Sequence, residues 1–283
     1  MIEARYYEKL EGSKVHCRLC PTECVISDGA RGACRARLNK SGILYSEIYG
    51  KITSAALDPV EKKPLYHYHP GEHIYSIGTK GCNFHCDFCQ NWSIAQNLNA
   101  PTRDVTSEEM IASAKECGSF GIAYTYNEPF IWHEFVFDTA KLAKKSGLEN
   151  VLVTNGYVNI KPLEDILPYI GAMNIDLKAF SDEFYMKICG GRLNKVLEVI
   201  KRSSRSCHVE LTTLIVPGLN DSEEEMMKEV EWIKNNVGAA TPLHISRYFP
   251  CYKMNLPPTP METLERVRRV ALNSLKYVYL GNV

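Results

Sequence analysis

From about residue 74 onward, short apolar runs alternate with longer stretches that are apolar on one side only. The runs fall at 74–79, 121–125, 150–154, 172–177, 208–216, 242–246 and 277–280, and helical patterns fill 131–146, 162–169, 193–203 and 222–236. A short apolar run between turn residues reads as a buried strand, and 3.6-residue spacing reads as an amphipathic helix. The first helix is expected after Thr106-x-x-Glu109, a capping box that satisfies its first free amides. The last is expected at Thr259-Pro260-Met261-Glu262, with proline at the first helical position and glutamate closing the box. Lys201 and Arg202 end one helix, where positive charge offsets the dipole. Strand–helix alternation predicts a parallel sheet with right-handed crossovers. Six units rather than eight predict an α/β fold, a partial (β/α)6 TIM-like barrel over 74–283.

Upstream the pattern changes. Residues 1–50 show short strand-like pieces, with Asn39-Lys40-Ser41-Gly42 as the turn of a hairpin between 34–38 and 43–49. The following segment holds Pro59, Pro64 and Pro70 with His67 and His69, has no period, and reads as a loop. The expected organisation is a cysteine-rich metal module at 1–50, a connecting loop at 51–73 and the barrel at 74–283. Such a loop either contacts substrate or packs its tyrosines on the barrel, and both readings stand.

Composition narrows the function classes. The chain has 283 residues, 45% of them apolar, enough for a sizeable core. Lys+Arg and Asp+Glu are 33 each, so net charge is zero and points to neither nucleic acid nor a membrane surface as partner. No apolar run approaches the roughly 18 residues of a spanning helix. Met1-Ile2-Glu3-Ala4-Arg5 lacks the apolar stretch of a signal peptide, so a cytoplasmic protein is expected. Eleven cysteines in such a chain read as metal ligands rather than disulfides. Cys117, Cys189, Cys207 and Cys251 are scattered and read as small buried hydrophobes.

The other cysteines form two groups. Cys82, Cys86 and Cys89 lie at spacings of four and three. Three thiolates converge on one soft metal centre and leave a position open, whereas a structural zinc site or an electron-transfer cluster takes four protein ligands. A structural zinc loop or unrelated buried thiols would be the plainer reading, but the loop sits between an apolar strand and a barrel pattern. The second group, Cys17-x2-Cys20-x3-Cys24-x9-Cys34, is interspersed with Pro21, Gly29 and Gly32. Four cysteines close the set, so zinc and an auxiliary iron–sulfur cluster both fit. Parallel barrels place their sites at the C-terminal ends of the strands. Polar residues gather at those ends: Asn127 and Glu128, Thr154 and Asn155, Asp176 and Lys178, then 210–218, then His244.

The CxxxCxxC spacing, with Phe88 before its last cysteine, resembles the cluster loop of radical S-adenosylmethionine enzymes. The longer string GCNFHCDFCQNW resembles the branch that contains pyruvate formate-lyase activating enzymes, and within it the radical enzyme of the AmmeMemoRadiSam system. The segment from Cys17 to Gly42 is similar to the N-terminal part of that family. The resemblance implies a 4Fe-4S cluster on Cys82, Cys86 and Cys89 whose open iron binds S-adenosylmethionine. It implies an amino-group contact from Asn127 and Glu128, though Tyr-Asn-Glu-Pro stands where the family has two glycines before its glutamate. It implies Thr154 and Asn155 near the carboxylate, Asp176 and Lys178 around carboxylate and ribose, Val216 against adenine, and a ligand contact from His244. Cleavage of the sulfonium needs no general acid or base, and no catalytic triad or carboxylate pair is found. The implied reaction is hydrogen abstraction by a 5′-deoxyadenosyl radical from a protein glycine or an undetermined substrate. The implied partners are an external electron donor, flavodoxin- or ferredoxin-like, and a glycyl-radical or other protein substrate. Relatives of that branch continue past Val283 into a cysteine-bearing tail. The rival is a non-catalytic iron–sulfur electron carrier, which explains the cysteines but not the ring of polar strand ends.

Overall fold

The computed structural model describes residues 1–283. Eight strands form one sheet, and they lie across it in chain order. They are β1 (Ser54–Pro59), β2 (His73–Gly78), β3 (Gly121–Tyr124), β4 (Glu149–Thr154), β5 (Ala172–Asp176), β6 (His208–Ile215), β7 (Leu243–Arg247) and β8 (Val278–Gly281). β1 runs antiparallel to β2, and every later neighbour pair is parallel. β1 and β8 are the sheet's two edges and do not pair, so the barrel is open between them. Six longer helices cover the outside: α1 (Ser107–Glu116), α2 (His133–Lys145), α3 (Ile160–Ile166), α4 (Leu193–Ser203), α5 (Glu223–Asn236) and α6 (Met261–Leu272). The architecture is the expected partial barrel, six strand–helix units closed by a further parallel strand. β3 is buried along its whole length, as a strand covered on both faces requires.

The capping box of α1 forms in both directions, Glu109 N to Thr106 Oγ1 at 3.2 Å and Thr106 N to Glu109 Oε2 at 2.8 Å. The box expected at α6 does not form. Pro260 is its N-cap. Thr259 is turned inward, its hydroxyl donating to the Ile215 carbonyl at 2.6 Å and accepting from Tyr248 N at 3.2 Å. β1 is a second difference: it lies inside 51–73, expected as a connecting loop, and is instead the antiparallel edge strand of the barrel sheet. Its residues are half-buried or exposed, without the apolar run that marks the other strands.

Residues 1–50 build two small antiparallel sheets. The expected hairpin pairs Arg37–Lys40 with Ile43–Ser46, and Ser41 and Gly42 both have positive φ, as a two-residue primed turn needs. This part has its own small core of Ala4, Val15, Cys17, Leu19, Ile26 and Leu44. It is pinned to the barrel by a buried ion pair, Arg37 to both oxygens of Glu134 at 2.8 Å. Trp132 Nε1 donates to the Ile48 carbonyl at 2.6 Å. Removing one partner of such a buried pair costs about 3–5 kcal/mol.

Candidate active site

The loop after β2 is anchored by its aromatics, which pack in the core beside its cysteines. Phe84 packs on Tyr157 and Tyr185, and Phe88 on Phe184. Gly81 has φ of +90°, and a Cβ there would stand 2.6 Å from the Cys34 carbonyl. His85 N donates to the Cys189 carbonyl at 2.8 Å, and Asp87 N to that of Ile188 at 3.2 Å. The acceptors belong to Tyr185–Cys189, a wide helical turn without a signature in the sequence. Asn127 clamps the loop from the next strand end, its Nδ2 on the Gly81 carbonyl at 2.9 Å and its Oδ1 on Thr79 N at 3.1 Å.

Cys82, Cys86 and Cys89 line one cavity of ≈350 Å³ at the C-terminal ends of the strands, with Asn127, Glu128, Asn155, Asp176 and Lys178. Cys82 Sγ accepts from Phe84 N at 3.4 Å and Asn155 Nδ2 at 3.7 Å. Burial pushes the Cys82 thiol well up and the Cys89 thiol to about 11. Cys86 is drawn down, first by a hydrogen bond from Cys189 and then by the Lys178 ammonium, with burial opposing. A metal must displace the protons these thiols carry, and the N–H donors around Cys82 suit the thiolate that results.

The charged groups across from the loop are ordered. Glu128 is buried; Oε1 accepts from Phe130 N at 2.9 Å and Thr154 Oγ1 at 2.8 Å, and Oε2 from Asn155 N at 2.8 Å. Burial raises this carboxyl to about 7 against those three hydrogen bonds. Lys178 Nζ meets Asp176 Oδ2 at 2.7 Å. Burial alone would lower the Lys178 ammonium, but Asp176 and Cys86 outweigh it and hold it up.

Three residues expected at the ligand lie elsewhere. Thr154 faces away from the cavity, because strand side chains alternate and Val153 and Asn155 take the inward positions. Its hydroxyl serves Glu128 instead. Val216 is fully buried beyond the end of β6, its N–H on Asn220 Oδ1 at 2.7 Å; Thr212 and Leu214 line the cavity from that strand. His244 does face the lumen, but one layer lower than Ser246, the cavity residue of β7. Its Nε2 is 2.6 Å from Glu210 Oε2. Glu210 also receives His208 Nε2 at 3.0 Å, Tyr66 N at 3.0 Å and His67 N at 2.7 Å. Burial would raise this carboxyl, yet the two imidazoles and two amides hold it at about 2. The cluster seals the barrel floor and draws the 64–68 segment beneath the cavity.

Sequence reasoning assigned no role to Lys62, Lys63 and Pro64, which line the cavity beside the strand-end residues Tyr126, Thr212 and Ser246. Lys63 Nζ meets Asp58 Oδ2 at 2.7 Å, and Tyr126 OH donates to the same oxygen at 2.8 Å. Tyr126 holds a left-handed φ of +71°, uncommon for a bulky residue and frequent at ligand sites. The one signal was a charge cluster, Asp58 with Lys62-Lys63, inside a proline-rich segment. Cys189 and Cys251, read as scattered thiols, both reach the cysteine loop: Cys189 bonds Cys86, and Cys251 Sγ lies 3.5 Å from the Cys89 carbonyl.

The second cysteine group is also brought together. Cys17, Cys20, Cys24 and Cys34 line a separate, narrow cavity with Arg37, Asn83 and Ile131.

The family model for the Radical SAM superfamily matches residues 76–230, which span the cysteine loop and the strand ends through β6. The chain belongs to this superfamily. Its radical S-adenosylmethionine chemistry and its 4Fe-4S cluster follow from membership. Among similar proteins is an uncharacterized protein of Methanocaldococcus jannaschii, 46% identical over 288 residues, covering all of this chain and 86% of that one. The pyruvate formate-lyase 1-activating enzyme of Escherichia coli K12 is 24% identical over 212 residues, covering 68% of this chain and 85% of that enzyme. In three dimensions the fold is shared with a radical SAM methyltransferase from Sphaerobacter thermophilus, at TM-score 0.58 and 16% identity over 75% of this chain and 67% of that one. It is also shared with a domain of a pyruvate-formate lyase-activating enzyme from Bacteroides vulgatus, at TM-score 0.51 and 16% identity over 57% of this chain and 99% of that one. The protein is thus a radical SAM enzyme of the activating-enzyme kind. No helix is long and apolar enough to cross a membrane.

Proposed function

We propose that Cys82, Cys86 and Cys89 hold the 4Fe-4S cluster, and that the residues around them receive S-adenosylmethionine. The observation that carries this reading is the convergence of three thiols, a buried carboxylate without a cationic partner and an Asp–Lys pair on one cavity. When bound there, the cluster would supply the one-electron reduction that cleaves S-adenosylmethionine. Glu128 accepts from the ammonium of the methionyl part, and Asn127 fixes the cysteine loop, and Thr154 fixes the carboxylate of Glu128. Asn155 and the Asp176–Lys178 pair orient carboxylate and ribose. The substrate, a protein glycine or another hydrogen donor, would meet this site on the side of the cavity that Lys62 lines. Relatives named as activating enzymes support a protein substrate. An external donor of the flavodoxin or ferredoxin kind and a cytoplasmic setting complete the reading. The four N-terminal cysteines hold zinc or an auxiliary cluster.

The test is anaerobic incubation of the reconstituted protein with S-adenosylmethionine and dithionite. Methionine and 5′-deoxyadenosine are expected in equal amounts, with none from Cys86→Ala. A wild-type protein that carries its cluster but binds no S-adenosylmethionine overturns the reading and favours the electron carrier.

A further inference from the structure

We propose that Lys62 and Lys63 form an oxyanion site in the wall of the cavity, and that the substrate carries a carboxylate or phosphate which they hold there. The site is built inward from the edge of the sheet. β2 ends at Gly78, where a Cβ would stand 2.7 Å from the Thr125 carbonyl and 2.9 Å from the Tyr126 ring. The missing side chain leaves room for Tyr126 in its left-handed conformation. Tyr126 OH and Lys63 Nζ reach the same oxygen of Asp58, and the Lys63 ammonium lies 4.9 Å from the centre of the Tyr126 ring. Lys62 Nζ is 3.6 Å from the other Asp58 oxygen. Two ammonium groups thus share one carboxylate, and one positive charge is left over at the cavity wall.

The two lysines have different things to give. Lys63 is 3% exposed, and only one of its three N–H groups meets an acceptor. A buried ammonium is costly unless its hydrogen bonds are made. Lys63 lines the cavity, so the acceptors it lacks are to be supplied from there. Lys62 is 68% exposed and its ion pair is long, so its side chain is free to close on a group that enters. An ion pair that only pinned β1 would need one lysine.

Neither carboxylate that lines the cavity answers these lysines. Asp176 pairs with Lys178, and Glu128 accepts from two amides and the Thr154 hydroxyl. The negative charge of the cysteine loop is faced by Lys178, whose ammonium acts on Cys86 and Cys89. An anion from outside therefore fits the wall, and the oxygens of a carboxylate or phosphate suit an ammonium donor. The role in substrate binding rests on the radical reading. The anion site does not, because it needs neither cluster nor S-adenosylmethionine.

The test is calorimetry of the full-length reconstituted protein at low ionic strength, with inorganic phosphate and with succinate as probes. Each is titrated alone and again with S-adenosylmethionine present. We expect one site per chain for at least one probe, and the tighter of the two tells phosphate from carboxylate. Lys63→Met should weaken binding about tenfold or more, as loss of a hydrogen bond from a charged group does. Lys62→Ala changes an exposed side chain and decides the matter if Lys63→Met does not fold; it should weaken binding by about two- to fivefold. Added S-adenosylmethionine should leave the affinity unchanged or raise it. No saturable binding of either probe, or equal affinity in wild type and both variants, overturns the proposal. So does displacement of the probe by S-adenosylmethionine, which would mean that the lysines hold the carboxylate of that molecule. A protein that binds the probe as expected but carries its cluster and binds no S-adenosylmethionine keeps the anion site and overturns its role toward a radical substrate.

Discussion

Two buried glutamates face the lumen of the same barrel, and the protein treats them in opposite ways. Glu128 at the rim and Glu210 at the floor are both almost without solvent contact. Burial alone would raise both carboxyls. At the floor two imidazoles and two backbone amides hold Glu210 at about 2. At the rim two amides and a hydroxyl are not enough, and Glu128 stands at about 7. The difference is in the side-chain partners. Glu210 has the imidazoles of His208 and His244; Glu128 has only the Thr154 hydroxyl beside its two amides. A buried carboxylate held by oriented donors but left without a positive partner is a receptor for one, and the methionyl ammonium of S-adenosylmethionine is such a partner. The floor is complete in itself, while the rim is completed by its ligand.

The severest break of this comparison is Cys86→Ala. Two remaining thiolates cannot hold four irons, so cluster assembly at the rim and 5′-deoxyadenosine formation should both disappear. The floor is distant and should keep the fold. Iron analysis and circular dichroism report the two outcomes separately, and a rim cluster at full occupancy in this variant would refute the assignment.

Glu210→Gln tests the other end. Two histidines and two amides lose their charged acceptor; a hydrogen bond to a charged group is worth about 1.5–3 kcal/mol, so a loss of stability of at least that size should follow. Affinity for S-adenosylmethionine, measured by calorimetry, should hold. A large fall in affinity without loss of stability would place the floor cluster in the binding site. Acid unfolding supplies the sign. The folded carboxyl at about 2 lies below its ordinary 4.5, so its contribution is present above 4.5 and is lost as pH falls from there toward 2. Glu210→Gln should flatten that part of the stability curve.

Glu128→Gln removes the charge but keeps the shape. A hydrogen bond to a charged group is worth about 1.5–3 kcal/mol, so affinity should fall roughly ten- to a hundredfold. In the wild type the free carboxyl takes up a proton as pH falls through about 7. Binding should then weaken by up to about tenfold per pH unit below 7, and the Gln variant should lack this dependence. The stability effect runs opposite to that of Glu210. A folded value raised above 4.5 withdraws stability as pH climbs from 4.5 to 7. An equal pH slope of affinity in the Gln variant would exclude Glu128 as the titrating group.

The rim was largely legible in the sequence, and the floor was not. Cys82, Cys86 and Cys89 act through local spacing, and Asn127, Glu128, Asn155, Asp176 and Lys178 sit at the ends of apolar runs, so strand periodicity alone puts them together. Glu210 meets Tyr66 and His244 only after the barrel has closed. His244 was therefore read as one more strand-end residue, although the layer above it belongs to Ser246. Thr154 and Asn155 are adjacent and equally polar, and only the register of β4 decides which faces inward. Thr259 is a good cap by local rules, yet the Ile215 carbonyl, 44 residues away in the chain, takes its hydroxyl. β1 lacked any apolar run because an edge strand packs on one side only.

Thr154 gives the smallest expected effect and the finest test of the contrast. Its hydroxyl donates to Glu128 Oε1 at 2.8 Å and faces away from the cavity. If it acts only through that carboxylate, Thr154→Val removes one of three donors at nearly constant volume. A neutral-donor hydrogen bond is worth about 0.5–1.5 kcal/mol net, so affinity for S-adenosylmethionine should fall by about two- to tenfold. The pH midpoint of binding should also move upward, because the ionised carboxylate loses a donor that favours it. A ligand contact at Thr154 predicts the affinity loss without the shifted midpoint. In the background of Glu128→Gln, Thr154→Val should then cost less than it does alone, since the charge it serves is gone. Additive losses in the double variant would mean that Thr154 touches the ligand itself, and that the rim carries one more binding residue than strand alternation allows.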